Sequence, residues 1–216
     1  MLPIIQDFIP VGRPNRPGKK WTAPKYITIH DTGNKGAGAN ARSHAAYVKS
    51  DEAARRMVSW HFTVDETTIV QHLPLDEAGW HAGDGSGPGN SASIGIEICE
   101  NADGDRAKAE ANAAELTAYL LEHFNLSIDC VVQHNRWSGK NCPHIIRGRV
   151  GGWESFLTMV ESKRNPATEP LDKQATQKVI SVLSALYMAS GDKGVQAAAH
   201  HAANSLRRAV GIDVID

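Results

Sequence analysis

The sequence predicts an α/β fold in which a central mixed β-sheet is flanked by helices, followed by a small C-terminal helical hairpin. Three observations carry that expectation. Short β-branched runs alternate with helical patterns through most of the chain, the order of a layered α/β domain. The strand candidates alternate isoleucine with polar or small residues, so each presents one apolar face. Beyond a polar, proline-bearing stretch at residues 164–170 (RNPATEP), only a helical repeat persists.

The elements follow in order. The opening Met1-Leu2-Pro3 has no basic start leading into an unbroken apolar run, so no secretory signal is expected. Residues 12–20 (GRPNRPGKK) read as a solvated connector. Residues 26–30 (YITIH) alternate as a strand, with Ile27 and Ile29 on one face and Tyr26, Thr28 and His30 on the other. Asp31-Thr32-Gly33-Asn34 breaks it, and residues 41–49 suit a short helix. Residues 60–64 (WHFTV) and 68–72 pair as a hairpin across Asp65-Glu66. Residues 83–90 (GDGSGPGN) are expected to be neither helix nor strand, but a loose cleft rim. Residues 94–99 (IGIEIC) form a further strand. Residues 108–124 carry the clearest helical repeat, Ala109, Ala113, Leu116, Leu120 and Phe124. Residues 130–134 (CVVQH) read as the last strand. The expected organisation is a first domain at 1–163, a linker at 164–170 and a small helical domain at 171–216. In the last, Val179, Val182, Leu183 and Leu186, then Val195, Ala198, Ala199, Ala202 and Leu206, mark two helices.

Composition narrows the function. A chain of 216 residues, 41% hydrophobic and 22% charged, accommodates one ordinary domain and a small second one. With 23 Lys and Arg against 24 Asp and Glu, the net charge of -1 argues against nucleic-acid binding by bulk charge. No apolar run reaches the roughly 18 residues of a membrane span. The odd set of Cys99, Cys130 and Cys142 is no disulfide scaffold and suits a reducing compartment.

Chemistry gathers at a few positions. His30 at a strand end, with His134 and Cys142 much later, offers two imidazoles and a thiolate, a good tetrahedral zinc set with a fourth position open to water. Ten histidines allow many such triplets, and a hydrogen-bonded core role stays open for each. Glu97 lies on the strand face opposite Ile94, Ile96 and Ile98, where a carboxylate is costly unless paired or facing a polar cleft. It is either a salt-bridge partner or a general base beside a metal site.

The segments ITIHDTG, SWHFTVDE, IVQH, WHAGDG, SIGIEICEN and QHNRWSGKNCPHIIR, in that order, resemble the zinc-dependent N-acetylmuramoyl-L-alanine amidases. This group includes phage amidases and, more distantly, the animal peptidoglycan-recognition proteins. The resemblance runs from about Pro24 to Val160 and is strongest to endolysins of phages that infect Bacillus-like hosts. It implies an amidase/peptidoglycan-recognition-like fold, one zinc ion on His30, His134 and Cys142, Glu97 as the catalytic carboxylate and Lys140 facing the substrate carbonyl. Some phage amidases place a tyrosine before the histidine of the second strand. Trp60 stands there instead and cannot exchange a proton in the same way, which leaves that role to Glu97. The implied reaction cuts the amide between muramic acid and L-alanine in peptidoglycan. Zinc acidifies water, Glu97 takes and returns the proton, and Lys140 with zinc stabilises the oxyanion.

The remaining residues are weighed against packing roles. His81 is expected at the cleft edge, touching sugar or peptide, or as a structural loop residue. Trp60, Trp80 and Trp137 are candidates to line the groove, with core packing the alternative. His61 and His144 are set aside as ligands, and Cys99 and Cys130 as inert buried thiols on strands. The C-terminal helices are expected to bind cell-wall polymer or to form a homo-oligomer. The resulting expectation is a phage or prophage lysis enzyme held in the host cytoplasm until release. A bacterial autolysin and a non-catalytic peptidoglycan-binding module are the alternatives. Such modules typically lose the cysteine ligand, which is present here as Cys142.

Overall fold

Two neighbouring strands set the frame in this computed structural model, which describes residues 1–164 and 173–212. β2 (Tyr26–Asp31) and β5 (Ser93–Ile98) run parallel, pairing Ile27 with Ile94, Ile29 with Ile96 and His30 with Glu97. β3 (Phe62–Val64) flanks β5 in parallel, and β4 (Ile69–Gln71) returns antiparallel to β3. The turn between them is built by Asp65, whose Oδ1 accepts the backbone N–H groups of Thr67 and Thr68 at 2.8 and 2.7 Å. β1 (Ile4–Gln6) and β6 (Val131–Gln133) close the two edges, giving the order β1-β4-β3-β5-β2-β6 among the described residues. The expected mixed sheet is therefore present.

Helices cover both faces unequally. α4 (Arg106–His123) and α7 (Gly152–Arg164) pack together, and Ala109, Ala113, Leu116, Leu120, Phe156 and Val160 form one cluster with Ile27, Ile29, Ile94, Ile96 and Ile98. α4 starts at Arg106, ahead of the expected Lys108, because Asp105 caps it by accepting the Lys108 N–H. On the other face, α1 (Ala41–Val48) packs near β3 and β4, its Ala41 and Ala45 meeting Val70 and Cys99. α2 (Asp51–Arg55) follows. The short α3 (Pro88–Ser91), α5 (Asn135–Ser138) and α6 (His144–Arg147) lie in connections.

Three expectations need correction, and one strand was not foreseen. The glycine-rich loop does hold a helical turn, α3, entered through Pro88, whose fixed φ suits a first helical position. Residues 128–130 form a 3-10 turn, so Cys130 is off the strand and only half-buried, whereas Cys99 is buried just after β5. The connector at 12–20 is not simply solvated. Arg16 forks onto the buried Glu77 carboxylate with two 2.8 Å bonds, and Asn15 donates to the Val48 and Val58 carbonyls. β1 was not expected, since three residues behind a proline carry no readable alternation.

The chain divides into two compact units, Met1–Arg164 and Asn165–Asp216. In the second, α8 (Lys173–Ala189) packs on α9 (Lys193–Ala209), whose N-terminus is capped by Asp192. Beyond Arg164 the expected linker lies outside the described residues, as do 171–172 and 213–216. Among the described residues no helix is long and apolar enough to cross a membrane.

Two fully buried histidines tie stability to pH. His61 donates to the Glu77 carbonyl and accepts the Gly95 N–H, while His72 bonds Thr63 Oγ1 at 2.8 Å. Burial lowers their pKa values to about 4 and about 3. The unfolded chain takes these protons near pH ~6.5, whereas the native fold refuses them, so stability is full above that pH and is lost as pH falls. Urea unfolding at about pH 7.5 and about pH 5 should cost the wild type about 2 kcal/mol more than His72→Gln; equal losses would exclude the linkage.

Candidate metal centre and catalytic cleft

The carboxyl ends of the parallel strands converge on one place, as open α/β sheets arrange their sites. His30 lies near the end of β2, His134 directly follows β6, and Cys142 sits between α5 and α6. All three are buried, and one ligand atom from each lies within 4.8 Å of the others. The two Nδ1 atoms face each other at 3.0 Å. His134 Nε2 sits 2.9 Å from the Ala82 carbonyl, which only an N–H can face, so Nδ1 of that ring bears a lone pair. Two nitrogens bonded to zinc at ~2.0 Å in a tetrahedron stand roughly 3.3 Å apart, close to the observed spacing.

Burial tunes the donors. Desolvation, with the nearby imidazoles adding to it, holds His30 well below the usual histidine range, and desolvation lowers His134 too. Both rings are therefore neutral and able to ligate. Burial, reinforced by Glu97, pushes the Cys142 thiol up to about 12, so a cation held there would have to take the place of its proton. The Asp31 N–H points at Cys142 Sγ at 3.4 Å, a donor suited to a thiolate. The donor set thus fits zinc.

A cleft of about 840 Å³ opens beside these groups, lined by Glu97, Lys140, His81, Trp60, Trp80 and His134 among others. Glu97 Oε1 lies 3.8 Å from His30 Nδ1, while Oε2 is buried without a hydrogen-bond partner. Desolvation raises its pKa to about 8, with the Lys140 ammonium pulling the other way. Trp60 contributes its ring, since its indole N–H is committed to Thr63 Oγ1 at 2.7 Å. Trp137 does not line the cleft. Its N–H donates to Thr28 Oγ1 and its ring packs edge-on against Tyr26. His144 is no member of the triad; its ring stands between the Asp31 and Glu100 carboxylates.

Sequence reasoning missed the supports. Asp31, taken there for a turn residue, accepts from Arg106 and from the Ile145 N–H, tying β2 to the stretch that carries Cys142. Asp84 and Asn90 organise the glycine-rich loop. Asp84 accepts the Gly89 and Asn90 N–H groups, and Asn90 Oδ1 accepts those of His81 and Ala82, both at 2.8 Å. Side chains of this type among glycines signal local backbone capture, not looseness.

Residues 20–145 match the family model described as N-acetylmuramoyl-L-alanine amidase. The chain is 58% identical over 156 residues to N-acetylmuramoyl-L-alanine amidase XlyA of Bacillus subtilis (strain 168), covering 72% of this chain and 50% of that protein. It thus spans half the length of that curated relative. The solved structure of the catalytic domain of XlyA is similar at TM-score 0.69 and 56% identity, over 74% of this chain and 99% of that one. A mutant endolysin from Bacillus subtilis is similar at TM-score 0.69 and 55% identity, with the same coverage.

The loop that backs the cleft yields a stability prediction. Asn90→Ala strands the N–H groups of His81 and Ala82, and should cost about 3 kcal/mol in urea unfolding, with Asn90→Asp recovering part by keeping the acceptor. An unchanged midpoint in Asn90→Ala would show that the loop is not held this way.

Proposed function

The chain belongs to the N-acetylmuramoyl-L-alanine amidase family, and from that premise we propose that it is a zinc-dependent hydrolase of bacterial peptidoglycan. The bond it cleaves joins the lactyl group of N-acetylmuramic acid to L-alanine, and the setting is phage or prophage lysis. The observation that carries this reading is the pairing of a buried His-His-Cys set with a carboxylate oxygen that has no protein partner beside the cleft. The relative described as an endolysin supports the lysis setting. So does a site whose Cys142 must stay unoxidised to take a metal.

His30, His134 and Cys142 would hold the zinc, which supplies a Lewis acid able to activate water and polarise an amide carbonyl. Glu97 takes the proton of the attacking water and passes it to the departing amine. A carboxylate raised to about 8 by desolvation is suited to both transfers near neutral pH. Lys140 lines the cleft and lowers the proton affinity of Glu97 by its charge, and its role is to stabilise the developing oxyanion. Trp60 and Trp80 offer flat apolar walls to sugar and peptide. The second unit is read as a wall-binding element, or as a contact between copies. Exposed Val182, Leu186 and Met188 supply apolar surface for either.

Digestion of purified walls tests the chemistry. New alanine amino groups should appear without new reducing ends, stop on chelation and resume with zinc. Reducing ends would mark a glycosidase, and release of neither would mark a binding module. Glu97→Gln should retain zinc while turnover falls by about 10²–10⁴-fold; wild-type turnover in that variant would remove Glu97 from proton transfer.

A further inference from the structure

His81 lies against the metal site without belonging to it. Its Nδ1 is 3.0 Å from His30 Nε2, and its Nε2 is 3.2 Å from the Ser93 carbonyl. A carbonyl only accepts, so His81 Nε2 carries the hydrogen, and in a neutral ring Nδ1 is then a bare acceptor. His30 Nε2 must donate to it. The consequence reaches the far side of the His30 ring, where Nδ1 is left with its lone pair turned toward His134 Nδ1. The two rings meet edge to face, with centroids 5.0 Å apart and planes at 86°.

The seat of His81 is built for this contact. A Cβ on Gly95 would stand 2.8 Å from both Cγ and Nδ1 of His81, so only glycine on β5 admits the ring. From the other side Asn90 holds the His81 backbone N–H. Both ring nitrogens are engaged within the protein, which leaves neither for the sugar contact that the sequence suggested.

We propose that His81, seated on Gly95, is a positioning residue that fixes the tautomer and rotation of His30 and so preorganises the metal site. The inference rests on the zinc reading above. Ala82, the next residue, serves His134 in the same way through its carbonyl, so one loop segment orients both imidazoles. Outer-sphere acceptors of this kind raise ligand basicity and restrict the ring to one pose.

The test compares His81→Phe, which keeps a ring without an acceptor, with His81→Asn, whose Oδ1 occupies the place of Nδ1. Zinc affinity is read by competition against a chromophoric chelator, and geometry by the visible spectrum of the cobalt-substituted protein. His81→Phe should weaken zinc binding about 10–100-fold and alter the cobalt bands. His81→Asn should recover most of the affinity and the wild-type spectrum. Gly95→Ala, which changes no donor, should move in the same direction as His81→Phe. Wild-type affinity in His81→Phe, or His81→Asn as weak as His81→Phe, overturns the positioning role. Failure of the wild type to bind zinc overturns the metal reading, and this proposal with it.

Discussion

The register between β2 and β5 is the constraint on which everything else depends. Side chains on a strand alternate with a period of two, so pairing Ile29 with Ile96 commits His30 and Glu97 to stand side by side on the opposite face. A slip of one residue would turn isoleucines toward the cleft and an imidazole and a carboxylate into the core. Ile27, Ile29, Ile94, Ile96 and Ile98 are fully buried. At ~2 kcal/mol for each buried side chain they contribute on the order of 10 kcal/mol, comparable to the net stability of a whole domain. The apolar face thus fixes the face on which His30 and Glu97 stand, while the pose of the His30 ring is set by its contacts with His81 and His134.

Cys142 lacks that protection, because it sits on an irregular segment between two short helices. Its anchor is ionic. Asp31, adjacent to His30, presents its N–H to Cys142 Sγ and its carboxylate to Ile145 N–H and to Arg106. Arg106 also bonds the Ile98 and Cys99 carbonyls and Glu110, which in turn binds Arg149. Removing one member of such a buried set leaves an uncompensated charge, at roughly 3–5 kcal/mol, so the network resists partial opening. It secures position more than it adds stability. His30 is therefore held by strand pairing, and the segment of Cys142 is held by Asp31, the residue that follows His30.

The sequence exposes what obeys a period. The alternation in YITIH and IGIEIC placed Ile27 and Ile29 on one face and His30 and Glu97 on the other, as observed, and the repeat from Ala109 to Leu120 marked the helix that covers the core. Ordered motifs, not spacing, singled out His30, His134 and Cys142 among ten histidines and three cysteines. What stayed hidden was long-range. Arg16 reaches Glu77 across 61 positions and Trp137 reaches Thr28 across 109, and no local pattern announces either. Trp137 therefore looked like a groove residue when its indole was already engaged. The support of His30 by His81 was equally invisible, since it depends on a missing side chain at Gly95.

Trp60 gives the cleft shape and not a titratable group. An indole N–H donates but does not ionise in the range where enzymes work, and here it is spent on Thr63 Oγ1, which also meets His72. Thr63 is the register partner of Glu97 across β3 and β5, so the tryptophan braces the strand beside the carboxylate without reaching for its proton. Glu97 is the one carboxylate lining the cleft among the described residues. Desolvation holds its proton affinity near neutrality, and the Lys140 charge keeps that affinity from rising further. A wall that supplies shape, a carboxylate whose proton affinity burial raises and a cation that limits the rise meet in one cleft, beside the Tyr47 ring stacked on Trp60.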